Sequence, residues 1–253
     1  MAIYEKSVRR LIQEDLIADL HLQKGQLITT DQILAWFAQR YPRIKRGTVT
    51  AHLILLSTNA PSRVHHNAKP ADDLFYKVDS STFRLYDAAS DPPPIYPGSN
   101  VPTGASIEPE SASEPVSEFA YESDLRDFLA KNLSILEPGL RLYQEEGITG
   151  VEFPAGGRLI DILALDKQKN FVVIELKVSK GYDRVVGQLL RYVAWIAENL
   201  AEATQKVRGV IISREISTDL SLACSRISDV ELYEYELSVA LRKIERAKPS
   251  VAV

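Results

Sequence analysis

Three ionisable residues interrupt apolar runs in the second half of this 253-residue chain. Asp161 sits in Leu159-Ile160-Asp161-Ile162-Leu163, and Glu175 and Lys177 sit in Val172-Val173-Ile174-Glu175-Leu176-Lys177. Segments apolar on both faces read as central strands of a sheet covered by helices. A carboxylate in such a strand is costly to bury unless it is paired or binds a metal. Glu175 and Lys177 are two apart and share a face. If Asp166–Asn170 is the connecting loop, Leu165 faces Phe171 and Asp161 faces Glu175, with side chains roughly 4.5–5.5 Å apart. Carboxylates that close repel, and one keeps its proton unless a cation intervenes. A divalent ion held by Asp161, Glu175 and the Leu176 backbone carbonyl resolves the conflict. Mg²⁺ suits such a site, with Mn²⁺ as a substitute. The ion acidifies a bound water and offsets phosphate charge. Lys177, one strand step beyond Glu175, can orient the water or stabilise the pentavalent phosphorus. The rival reading is a structural ion pair of Lys177 with Glu175 or Asp161.

The elements that must position these residues follow from periodicity. Strands are expected at Leu140–Glu146, Arg158–Leu165, Phe171–Val178, Val207–Ser213 and Val230–Tyr235. Helices are expected at Tyr121–Asn132, Asp183–Ala203 and Leu220–Ile227. Gln188 and Tyr192 are four apart, so they share a face of the long helix that follows the Glu175 strand. Glu122 on the first of these helices is a candidate ligand or water-positioning group; a plain carboxylate at a helix N-terminus is the rival reading.

Residues 88–118 are rich in Pro, Ser, Gly and Glu and show no periodicity, which reads as a linker. Before it, residues 1–87 read as three helices and a hairpin, the plan of a winged helix. Its third helix, Val49 to about Ser57 with Thr48 as cap, is expected to read DNA bases. Thr48, Thr50 and His52 are placed there, with Arg43, Lys45, Arg46, Arg63, Lys77 and Arg84 as cations around it. After the linker, residues 119–253 form the domain that carries the carboxylates. The expected class is therefore α+β or α/β, a winged helix ahead of an α-β-β-β-α-β core with a mixed sheet.

The formal net charge is −4. The acidity is concentrated in residues 91–120, which hold five acidic and no basic residues, while residues 1–90 are mildly basic. DNA binding is permitted, since only one face need be basic. A single cysteine excludes an internal disulfide, and no apolar run reaches the roughly 18–20 residues of a membrane span. A cytoplasmic protein without membrane attachment is expected. No phosphate-binding glycine loop is present, so no nucleotide cofactor is expected. His65-His66 lacks acidic or Cys partners at zinc spacing. Cys224, Trp36 and Trp195 read as core.

Taken in order, Gly157-Arg158-Leu159-Ile160-Asp161, Glu175-Leu176-Lys177 and Gln188-Leu189-Leu190-Arg191-Tyr192 resemble the PD-(D/E)xK nuclease superfamily. Within it they are most similar to the nuclease domain of NucS/EndoMS endonucleases, over residues 120–235. The resemblance implies metal-dependent cleavage of double-stranded DNA. It makes Asp161 and Glu175 metal ligands and Lys177 the catalytic lysine; Gln188 and Tyr192 support the site, and Glu122 matches the leading acidic residue. The N-terminal half departs from that family, whose first domain is β-rich. The combination points to a restriction-type endonuclease with a separate reading domain, acting as a homodimer with one site per strand. The alternatives are a mismatch- or structure-specific repair endonuclease, and a non-catalytic DNA-binding regulator on a degenerate nuclease fold.

Overall fold

The computed structural model describes residues 4–99, 116–177 and 182–236. The chain opens with α1 (Val8–Arg10) and α2 (Ile17–Asp19), joined by a π-helical turn at Leu11–Leu16. Next come β1 (Ile28–Thr29), α3 (Thr30–Arg40) and α4 (Arg46–Leu55). The hairpin β2 (Phe75–Lys77) and β3 (Thr82–Leu85) completes a three-stranded antiparallel sheet in the order β1-β3-β2. Leu11, Ile12, Leu16, Ile33, Phe37, Val49, Leu53 and Phe75 fill its core. Thr29 caps α3: Gln32 at the third helical position returns the bond and completes a capping box,. The third helix begins at Arg46 without a side-chain cap, and Thr48 lies inside it.

The second half begins with α5 (Val116–Lys131) and the short strands β4 (Arg141–Leu142), β5 (Gln144–Glu145) and β6 (Ile148–Thr149). Then follow β7 (Val151–Ala155), β8 (Arg158–Leu165), β9 (Phe171–Lys177), α6 (Tyr182–Asn199), β10 (Val207–Ser213), α7 (Thr218–Cys224) and β11 (Val230–Glu234). The sheet runs β11-β10-β9-β8, and β4 and β7 share the outer edge of β8. It is mixed: β9, β10 and β11 are parallel, whereas β8 is antiparallel to β9, β7 and β4. β4 and β7 meet at Gly150, whose carbonyl accepts the Leu163 N–H at 2.7 Å. A Cβ at Gly150 would lie 2.0 Å from the Leu163 carbonyl oxygen, so only glycine fits this approach,. β7 is not among the strands expected from periodicity; its Pro154 is tolerated because, among the described residues, no strand pairs its other side,.

Alternation along β8 and β9 sends side chains to two cores. Val172, Ile174, Leu176 and Ile162 pack under α5 with Leu125 and Leu129. Phe171, Val173 and Leu163 pack under α6 with Val185, Leu189, Tyr192 and Ile196. Ala51 and Leu55 of α4 belong to this second core. The third helix of the N-terminal part is thus docked on the sheet-bearing part.

Part of the expected linker is also held. Ile95 N–H donates to the Thr58 carbonyl at 2.8 Å, Arg84 pairs with Asp91, and Tyr96 bonds Asp73. Proline-rich composition did not reveal these anchors, because they depend on single polar groups rather than on apolar periodicity. Arg63 is fully buried: it donates to the carbonyls of Leu55 at 2.8 Å and Ile95 at 3.1 Å, pairs with Asp73 and stacks on Tyr96. Removing one member of a buried pair leaves the other charge uncompensated. Arg63→Ala is expected to lower stability by about 3–5 kcal/mol, measured by urea unfolding.

Candidate active site

The β8–β9 register is the expected one. Leu165 pairs with Phe171, Leu163 with Val173 and Ile162 with Ile174. The ladder ends there, and one step further Asp161 stands against Glu175. Instead of a backbone bond, the Asp161 Oδ2 accepts the Leu176 N–H at 2.8 Å. On its other side Asp161 faces Glu152, where the β7 ladder also skips a pair and the backbone turns left-handed, φ 48°. Such a conformation is uncommon outside glycine and costs on the order of 1–2 kcal/mol. Both neighbouring strands therefore give way around Asp161.

Glu175 is buried. Its Oε1 accepts the Gln188 amide at 2.7 Å, and the same amide reaches the Tyr192 hydroxyl at 3.2 Å. The Tyr192 hydroxyl donates to the Leu159 carbonyl at 2.8 Å. Gln188 and Tyr192 thereby clamp α6 to the ends of β8 and β9. The other oxygen, Glu175 Oε2, is buried with no hydrogen-bond partner among the described residues.

Burial pushes the Asp161 carboxyl up to about 6 against the Leu176 N–H, which favours its charge; Glu122 adds a smaller upward push. Burial and then the Asp161 charge raise Glu175 well above the usual carboxylate range, while Lys177 opposes both. Glu122 is half-buried on α5, near enough to act on both carboxylates. The structure thus brings Asp161, Glu175, Lys177, Gln188, Tyr192 and Glu122 together.

The donor set fits a hard divalent cation. One buried carboxylate oxygen lacks a partner, and two carboxylates resist joint ionisation without a cation,. Among the described residues, no three His, Cys, Asp or Glu side chains converge to hold a metal by themselves. That suits an ion that keeps several waters, as Mg²⁺ does, better than an all-protein cage.

The expected base-reading residues are placed differently. Thr48 and His52 are buried against the second half of the chain. Thr48 reaches Glu145 at 3.5 Å, and His52 lies 3.3 Å from Glu146. Arg63 is buried as well. These three cannot meet DNA in this arrangement, because α4 packs its polar side onto β5 and the loop after it. Lys77 is half-buried, and burial lowers its pKa. Arg84 is engaged by Asp91 and stacks on Tyr76 at 4.4 Å. Thr50 is half-buried and bonds the Gly47 carbonyl at 3.0 Å. Lys45 reaches Glu202 at 3.6 Å, and Arg46 reaches Asp31 at 3.6 Å; only Arg43 and Arg46 of the cations are exposed. Sequence reasoning missed Glu152 and Arg126. They pair at 2.6 Å beside His65, which lies 3.6 Å from Glu152. His66 is buried beside them, and burial lowers its pKa to about 3. No spacing signal marks this cluster, since its members come from both halves.

Two family models match this chain. Residues 121–235 match one described as the endonuclease NucS C-terminal domain. Residues 7–85 match one described as a domain of unknown function, DUF7669. Endonuclease NucS of Methanocaldococcus jannaschii is 31% identical over 97 residues, 38% of this chain and 34% of that protein. The enzyme of the same name from Methanopyrus kandleri is 32% identical over 99 residues, 39% of this chain and 35% of that protein. A crystal structure of a repair endonuclease from Pyrococcus abyssi matches 51% of this chain and 50% of its own, with TM-score 0.38 and 24% identity. The chain spans about a third of the length of the curated relatives it matches. The second half of the chain carries a NucS-like nuclease domain, and the matching segment contains all six site residues.

Asp161 holds its proton to a higher pH when folded than when unfolded. Between about pH 4 and 6 the folded state binds more protons, so its stability falls as pH rises through that window. In chelator, native protein is expected to lose roughly 2–3 kcal/mol relative to Asp161→Asn across it. Urea unfolding at both ends of the window measures the difference.

Proposed function

We propose that this protein is a metal-dependent DNA endonuclease of the repair type. The observation that carries the reading is the single cluster of Asp161, Glu175 and Lys177, with Gln188 and Tyr192 clamping it. Asp161 and Glu175 would hold Mg²⁺, or Mn²⁺ in its place, with the Leu176 carbonyl as a further donor. When bound, the ion supplies charge neutralisation at the phosphate and a more acidic water. Gln188 fixes the Glu175 carboxylate in one orientation. The Asp161 carboxylate is fixed by the Leu176 N–H. Lys177 presents its ammonium beside both, where it orients the attacking water and offsets negative charge on the phosphate. Glu122 faces the same cluster from α5.

The repair reading is preferred to a restriction enzyme with a separate reading domain for two reasons. The similarity is to endonuclease NucS. The helix expected to read bases is docked on the sheet instead, with Thr48 and His52 buried. The order helix, strand, two helices and hairpin still supports a winged helix in the N-terminal part, with Arg43 and Arg46 exposed on its surface where a DNA backbone could reach them. Two-fold pairing of this chain would place one site on each strand, and sedimentation of the protein with and without duplex tests it.

The deciding experiment offers paired, mismatched and branched duplexes with Mg²⁺ to the native chain. The native protein is expected to cut at least one of the irregular substrates, and Lys177→Ala and Asp161→Ala to bind with at least about a hundredfold loss of cleavage. A native protein that binds but never cuts with either metal would favour the regulator.

A further inference from the structure

The outer face of α6 has features that the clamp does not use. Gly187 stands in the middle of this helix, where glycine costs about 1 kcal/mol relative to alanine. A Cβ there would meet none of the described residues within 4 Å, so packing among them does not demand the glycine. A residue without a side chain is needed where something outside approaches the helix backbone closely. Arg184 lies three residues before Gly187 and Arg191 four after, both exposed and adjacent to it on the helix surface,. The next residue after Gly187, Gln188, holds Glu175. Arg191 stacks over the Tyr192 ring at 5.2 Å and acts on the Glu175 charge.

Arg158 joins them from the sheet. It pairs with Ala155 across the β7–β8 turn and is exposed. Two contacts bring that turn to α6: Tyr192 bonds the Leu159 carbonyl, and Trp195 lies 3.1 Å from the Cβ position of Gly156. Elsewhere in this half, Arg126 is tied to Glu152 and Arg208 to Glu137, while Arg141, Arg214 and Arg226 are exposed without an ion pair among the described residues; what sets Arg158, Arg184 and Arg191 apart is their place beside the clamp. For Arg158, Arg184 and Arg191, the described residues offer no ion pair. Guanidinium groups left unneutralised beside a carboxylate site fit phosphate oxygens.

The geometry points to a seat for a nucleic-acid backbone on this face. Arg191, Arg184 and Arg158 take phosphates flanking the one presented to Asp161 and Glu175, and Gly187 leaves room for the strand to lie against the helix. This seat rests on the nuclease reading and assigns it a substrate-gripping surface distinct from the N-terminal basic residues.

The test is fluorescence anisotropy of a labelled DNA duplex with the full chain in chelator, over a range of salt, with native cleavage followed in parallel. Arg191→Ala and Arg184→Ala are each expected to weaken binding about tenfold. Each should also lower the slope of log K against log salt by about one. Gly187→Gln adds a better helix former, so its melting temperature should not fall, yet its DNA binding should drop by a similar factor. Arg226→Ala, at the opposite end of the parallel strands, serves as the control. If the native protein cuts DNA but Arg191→Ala and Gly187→Gln bind like native, the seat is wrong and the nuclease reading stands. If the native protein neither binds nor cuts any duplex, both fail.

Discussion

One hydrogen bond from a backbone N–H to a carboxylate organises the site. Where the β8–β9 ladder ends, the Leu176 N–H turns to the Asp161 carboxylate instead of a carbonyl. That exchange keeps Asp161 directed at Glu175 under α6, and it draws two acids into one buried space. Everything around them reads as a response to that conflict. Lys177 offsets the charge, Gln188 satisfies one Glu175 oxygen, and the other has no partner among the described residues. The left-handed turn at Glu152 lets β7 pass without pairing across Asp161.

The second organising feature is the docking of α4. Its apolar side fills the N-terminal core, while Ala51, Leu55, Thr48 and His52 meet the sheet-bearing half. The His65–Glu152–Arg126 cluster and the Asn67–Gly147 backbone bond of 2.9 Å extend the same interface. The left-handed residue opposite Asp161 is thus also a member of the interface. Loosening of the two halves would act on the strand that flanks Asp161.

The carboxylate register was legible in the sequence because it needed only a loop of five residues and the two-residue period of a strand. The long helix and its Gln188–Tyr192 face were legible for the same reason, since a strong 3.6-residue period identifies a face. The roles of Thr48, His52 and Arg63 were not. Polar residues on a helix look alike whether they meet bases or another part of the chain, and nothing local to α4 announces Glu145 and Glu146. The hold on residues 91–96 was equally hidden, because it depends on Arg63, Arg84 and Asp73 from distant positions. Local periods locate elements; they do not say which surfaces meet.

The central claim is that Asp161 and Glu175 together form a cation site. Its most direct test is calorimetric titration of Mn²⁺ into the full chain near pH 6, in two buffers with different heats of protonation. The account predicts binding of a divalent ion with proton release, because the ion displaces a proton shared by the raised pair, and loss of that binding in Glu175→Gln. Binding without proton release that persists unchanged in Glu175→Gln, or no binding at millimolar metal, would contradict it.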